Sequence, residues 1–392
     1  MNIFKRVTLL IISTLFLKMA IAAEYTIQKG AISDHGDPSI QGSIAWYLQT
    51  YGANNTYILA PGTNSWVIST TLKLPEGATL MAESLNQVWL RAGHGVTKMI
   101  ELSDNTTVSN LLIDANNKAY HAVFGGENTD GSDLKNVTLN NNKIRNSYSS
   151  ITENECIANQ IRSHLVRIWN ADGVHISNNI IQNAGLMATG NPVGECAISA
   201  SGLSLLQSKN IIVDGNTIQN VGSAGVDITN STHVTINNNT ITSPGANKKY
   251  YSHLTPIKTA DGVTGYRNQL VSPAAYLYRT ITNNTITDYG NHGIHVSGKH
   301  HTITGNTIKD PYYLSLGSAI DIADRPVEPI QCSSNIWIQN NILEETGNGG
   351  SSFPILIDYY KATTIWISGN TYLGPKLPMM RHPGCDLNTW EQ

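Results

Sequence analysis

The chain reads as an all-β protein: a right-handed single-stranded parallel β-helix, or solenoid, with an N-terminal capping helix. Three observations predict this: a self-similar phrase, the spacing of its copies, and apolar residues that alternate around each copy. The phrase is "HVTINNNTIT" (233–242), and it returns as "NVTLNNNKIR" (136–145), "GVHISNNIIQ" (173–182), "NIIVDGNTIQ" (210–219), "RTITNNTITD" (279–288), "HTITGNTIKD" (301–310), "IWIQNNILEE" (336–345) and "TIWISGNTYL" (364–373). The last asparagines of the copies, Asn142, Asn179, Asn216, Asn239, Asn284, Asn306, Asn341 and Asn370, are 37, 37, 23, 45, 22, 35 and 29 residues apart. The shortest steps set a unit of 22 to 23 residues.

One unit, "GVDITNSTHVTINNNTIT" from Gly225, holds three strand-length segments: Val226 and Ile228, then Val234 and Ile236, then Ile241. Three short strands per unit make one coil of a β-helix. A leucine-rich repeat of similar period needs a recurrent leucine frame and a helix, and the sequence has neither. Asparagine suits the bend because it tolerates left-handed backbone, and its amide can bond to the same residue one coil above and below. The triplets therefore read as a structural ladder, and the "NNT" sequons carry little weight as glycosylation sites.

Residues 1–22 read as a Sec-type signal peptide: Lys5 and Arg6, an apolar run from Val7 to Leu17, then Ala20, Ala22 and Ala23 for cleavage. The run is too short to span a bilayer. Lys18 at its end leaves an uncleaved anchor as the alternative. The expected product, 23–392, is a secreted or periplasmic monomer with no membrane span: one β-helix domain with an N-terminal cap over about 24–55, coils over about 56–373 and a tail over 374–392. In the cap, "DPSIQGSIAWYLQ" offers Asp37 as N-cap, Pro38 as first helical residue, and Ile40, Ile44 and Leu48 on one face. "YILAPGTNSWVISTTLKLPEGATL" reads as the first coil, with turns at its "PG" and "PEG".

Net charge is −3, with 14% charged residues, which excludes the basic surface of a nucleic-acid binder. Four cysteines in an exported chain are expected to pair, with three connectivities open; Cys156 and Cys196 lie in comparable places of successive repeats and Cys332 and Cys385 both lie near the C-terminus, which favours those two pairs. No ligand spacing accompanies them, so they do not read as a metal site.

The capping helix, the "LAPGT…LKLPEGATL" opening and the asparagine-turn coils resemble the pectate-lyase-like right-handed parallel β-helix superfamily of carbohydrate-active proteins over roughly residues 35–375. Lyases, glycosidases, uronan C5-epimerases and adhesins share that scaffold, so the resemblance implies a fold and a saccharide groove, not a reaction. "NTDG" (128–131), "NADG" (170–173) and "NHGIHVSG" (291–298) look like polygalacturonase motifs, but the paired aspartates and later "RIK" of that family are missing. Asp130 and Asp172 thus fit ordinary turns. The "DPHD" of uronan C5-epimerases is absent, and "DPYY" (310–313) is a poor echo.

Aligned on the asparagine turn, the preceding strands are "VRI" (166–168), "LSL" (203–205), "VDI" (226–228), "IHV" (294–296), "IDI" (320–322) and "ILI" (355–357). Their middle residues point outward in a column: Arg167, Ser204, Asp227, a poorly aligned Val271 or Ser272, His295, Asp321 and Leu356. Insertions lead into this face at 145–163, 182–201 and 243–268. The last carries Lys248, Lys249, Tyr250, Tyr251, His253, Lys258, Tyr266 and Arg267, suited to stacking on sugar rings and pairing with carboxylates.

These residues suggest an enzyme on an acidic, uronate-containing polysaccharide, by β-elimination or C5 epimerisation. The catalytic candidates are His295, Asp321, Asp227 and Arg167; the substrate-binding candidates are Lys248, Lys249, Tyr250, Tyr251, Lys258, Arg267, Tyr289 and Ser204. His295 would be the base, Asp321 its orienting partner, and Tyr250, Tyr251 or Tyr289 the proton donor, with Glu153 and Glu155 in reserve. A glycoside hydrolase and a non-catalytic glycan-binding module remain as alternatives. No cofactor or metal is expected; Ca²⁺ has no clear motif, although Asp321 and Asp324 could share an ion.

Overall fold

The computed structural model describes residues 22–126, 132–147, 163–184, 200–221, 224–242, 257–259, 277–289, 292–310, 318–322, 333–344, 353–357, 362–374 and 389–391. These form sheets of 13, 11 and 10 strands and a single helix, Ile44–Tyr51. Successive strands go to different sheets and return to the same one a coil later. Thus Thr232–Asn237 lies in the first sheet, Thr240–Thr242 in the second, Ile257–Thr259 in the third, and Leu277–Thr282 in the first again. The ladders are parallel, as in the pairing of Thr232–Asn237 with Leu277–Thr282. This is the predicted parallel β-helix, with the right hand that parallel crossovers favour.

Period-two alternation fills the interior. In the first sheet Val108, Leu139, Ile176, Val213, Ile236, Ile281, Ile303, Ile338 and Ile367 stack in register, all buried. Burying a side chain of this size contributes about 1.5–3 kcal/mol, so the coils are held mainly by these columns. One inward column departs from the pattern: Val234 is followed by Arg279, His301 and Ile336. Arg279 and His301 are fully buried and share the Ser297 carbonyl, at 2.7 and 2.9 Å.

The asparagine bend divides two tasks that the sequence assigned to one residue. The left-handed conformation falls on the first residue, Asn141, Asn178, Gly215, Asn238, Asn283, Gly305, Asn340 or Gly369. The ladder falls on the next. In each case from Asn142 to Asn341, the backbone N–H donates to the side-chain oxygen of the following ladder asparagine at 2.9–3.0 Å, and the amide nitrogen donates to the same oxygen. The amide also donates to a carbonyl of the coil before, as Asn239 does to Val213 O. These buried amides are thereby satisfied, which is why the second position does not admit glycine while the first does.

The ends differ from expectation in three respects. The helix starts at Ile44, not Pro38, because Gly42 is left-handed at φ 86; Ser43 caps it, its Oγ accepting from Trp46 N at 3.0 Å. Asp37 instead closes a turn, accepting from Ser39 N at 2.8 Å. Ile44 and Leu48 are buried as predicted, while Ile40 lies before the helix. The cap also contains a strand, Glu24–Ile27, paired with Thr56–Leu59, and the tail contains Thr389–Glu391, paired with Ala362–Ser368. No helix among the described residues is long and apolar enough to cross a membrane. Residues 1–21 and the four cysteines lie outside the described residues.

Candidate functional site

The third sheet presents the expected column and completes it. In register run Lys73, Glu101, Phe124, Arg167, Ser204, Asp227, Lys258, His295, Asp321 and Leu356. Arg167 and His295, for example, sit between residues that fill the core, Val166 and Ile168, and Ile294 and Val296. The place between Asp227 and His295 belongs to Lys258, on the strand Ile257–Thr259, and not to Val271 or Ser272, which lie outside the described residues. Asn-turn counting missed it because this strand interrupts the longest insertion. The alternation "IKT" was the signal that could have found it.

His295 and Asp321 meet as expected for neighbours on adjacent strands: His295 Nδ1 is 2.6 Å from Asp321 Oδ2. Their side chains are 13% and 3% exposed. A third residue, His292, completes the group, its Nε2 3.5 Å from the same oxygen and its ring 5.5 Å from that of His295. His292 Nδ1 is held by Ser318, 3.0 Å from Oγ and 3.3 Å from N. Sequence reading passed over His292 because it precedes the alternating strand. Gly293 is what brings it in: a Cβ there would stand 2.6 Å from Ala319 O of the next coil.

Burial alone would push the Asp321 carboxyl up; the charge of His292, then the hydrogen bond and charge of His295, outweigh it and hold it below its ordinary value. Asp321 is therefore an ionised carboxylate at neutral pH. Its Oδ1 is buried and has no hydrogen-bond partner. The group can act as a base oriented by a carboxylate: with its Nδ1 proton on Asp321, the neutral His295 ring carries its basic lone pair at Nε2. It also offers two nitrogens and an oxygen within 4.8 Å of one another.

The other candidates divide. Arg167 is half-buried, its guanidinium 5.4 Å from the centre of the Trp169 ring, and Asp227 accepts from Thr229 Oγ1 at 3.2 Å. Ser204 keeps its place in the column but is 1% exposed, so it is covered and does not meet a polymer in this structure. Tyr289 is fully buried and donates its hydroxyl to Glu344 O at 3.0 Å, which removes it as donor or binding residue. Asp172 pairs with Lys209 at 3.4 Å and accepts from Asn210 at 2.6 Å, on the first sheet. Lys248, Lys249, Tyr250, Tyr251, Arg267, Glu153, Glu155, Asp130 and Asp324 lie outside the described residues.

No family model matches the chain, and no curated relative does. Solved structures do. The Azotobacter vinelandii mannuronan C-5 epimerase AlgE4 A-module is 14% identical with a TM-score of 0.57, covering 92% of this chain and 99% of its own. The endo-xylogalacturonan hydrolase of Aspergillus tubingensis is 12% identical with a TM-score of 0.51, covering 93% and 100%. The Dettilon tailspike protein is 12% identical with a TM-score of 0.52, covering 87% and 68%. At such identities the likeness is one of fold, the parallel β-helix.

Proposed function

We propose that the chain is a polysaccharide-active β-helix protein whose third-sheet face removes the C5 proton of a uronate unit, as a lyase or a C5-epimerase. The observation that carries this is the 2.6 Å contact of His295 with the buried Asp321, in a column that also holds Arg167 and Lys258. The names of two β-helix proteins above, an epimerase of mannuronan and a hydrolase of xylogalacturonan, support a polysaccharide as substrate.

A C5 hydrogen beside a carboxylate becomes acidic when a cation neutralises that carboxylate, and arginine and lysine are the residue types for this. His295 Nε2 then takes the proton. In elimination the C5 electron pair forms the C4–C5 double bond, the C4–O bond breaks, and the leaving oxygen receives a proton. In epimerisation no bond to oxygen breaks, and C5 is reprotonated from the opposite face. The donor belongs in this reading to the 243–268 segment, through Tyr250 or Tyr251. A paired-carboxylate hydrolase fits less well: Asp227 and Asp321 are three strands apart, about 14 Å at strand spacing, beyond the roughly 5–10 Å such pairs need. Export to the periplasm or medium, where such polymers lie, belongs to the same proposal.

Mature protein incubated with alginate, pectate and other uronans tests it. Elimination is read as ultraviolet absorbance of unsaturated ends, and epimerisation as uptake of deuterium at C5 from heavy water. One of the two is expected. Neither signal on any uronan, with reducing ends released from another glycan, would overturn it in favour of hydrolysis.

A further inference from the structure

We infer that His292, His295 and Asp321 form a binding site for one borderline divalent cation of the Zn²⁺ class. The donor set is two imidazoles and a carboxylate, the set such ions take, with other positions left to water or substrate. Ligand atoms held about 2.0–2.2 Å from a tetrahedral ion stand roughly 3.3 Å apart. His292 Nε2 and Asp321 Oδ2 are 3.5 Å apart, already at that spacing. His295 Nδ1, at 2.6 Å from Oδ2, has to open by about 0.7 Å, a small rotation of ring or carboxylate, to admit the ion.

Two further observations point to a ligand. Asp321 is 2% exposed, yet its Oδ1 has no partner, so a buried carboxylate keeps one oxygen unsatisfied. Such an atom is costly unless something positive meets it, as an ion taken by both carboxylate oxygens would. The second observation is the support behind His292. Before binding, Nδ1 accepts from Ser318 N at 3.3 Å and the ring proton sits on Nε2, toward Asp321; Ser318 Oγ, 3.0 Å from Nδ1, can accept an N–H there once that proton shifts and frees the Nε2 lone pair. A metal-ligating histidine commonly donates its other N–H in this way. On binding, the His292 proton moves from Nε2 to Nδ1 and that of His295 from Nδ1 to Nε2. The ion takes both lone pairs, and two neutral rings with one carboxylate leave it a net charge of +1. Where the uronate reading also holds, the loaded site has no base at His295 and turnover falls; that consequence rests on the reading above, while the binding does not.

The test is calorimetric titration of chelator-treated full-length mature protein with ZnCl₂, repeated with CoCl₂ and followed by visible absorption. One ion per chain is expected, with the intense visible bands of four- or five-coordinate Co²⁺. His292→Ala, His295→Ala and Asp321→Asn should each weaken binding about 10–100-fold or more. His292→Gln and His295→Gln, checked for fold by circular dichroism, guard against a packing effect. Absence of 1:1 binding, or equal affinity in wild type and in folded His292→Gln and Asp321→Asn, would overturn the site. Binding with no uronan activity in the chelator-treated protein leaves the site standing and removes the uronate reading; activity with no binding does the reverse.

Discussion

The asparagine bend and the third-sheet face pass through the same coils and obey opposite rules. At the bend the same residue recurs from Asn142 to Asn370 and makes the same bonds at each step. On the face, Arg167, Ser204, Asp227, Lys258, His295 and Asp321 follow one another with no two neighbours alike. Repetition is what a self-bonding ladder requires, because each amide must find its like at one spacing. A face that meets a ligand has no such requirement. In a solenoid, then, the column that breaks the repeat is the one to search for chemistry.

The largest expected effect is on the face. His295→Ala should cut turnover on the identified uronan by about 100-fold or more while leaving the denaturation midpoint near that of the parent; Asp321→Asn should lose somewhat less. A folded His295→Ala protein with undiminished rate would remove the base assignment.

The ladder predicts the converse. Asn239→Ala strips amide bonds to Val213 O, Asn237 O and Asn284 Oδ1, and takes away the acceptor of Asn216 N. Stability should fall by about 3 kcal/mol, read by urea unfolding, with turnover per folded molecule unchanged. Wild-type stability in this variant would show that the ladder is decorative.

Between ladder and face lies the buried Arg279–His301 pair. Burial first, then the Arg279 charge, pushes His301 from 6.5 to about 3, so the folded protein holds it neutral where the unfolded chain protonates it. Stability from this group is complete above about 6.5 and is lost progressively as pH falls toward 3. The melting temperature should therefore decline from pH 7 to 5, and His301→Ile, matching Ile336 beside it, should flatten the decline. Equal slopes in the two proteins would exclude His301 as the cause.

The smallest effect separates the two tasks of the bend. Asn238→Gly should be nearly neutral, since Gly215, Gly305 and Gly369 hold the same left-handed place. Asn238→Val should cost about 1–2 kcal/mol. Similar losses in both would assign Asn238 a bonding role its position does not require.

The β-helix, its 22- to 23-residue unit and the His295–Asp321 pairing were legible because alternation and turn spacing are local, and local periodicity fixes which side chains share a face. The helix start was misplaced because Gly42 adopts a conformation that a capping motif at Asp37 does not reveal. Tyr289 was misjudged because its fate depends on Glu344, 55 residues away. By itself the chain determined the ladder and the outward column, since each follows from residues a few positions apart. Only the tertiary structure decided that Lys258 enters that column, that Ser204 is covered, and that His292 turns onto Asp321. Those depend on which coil lies against which, and on a close approach at Gly293 that only packing between coils creates.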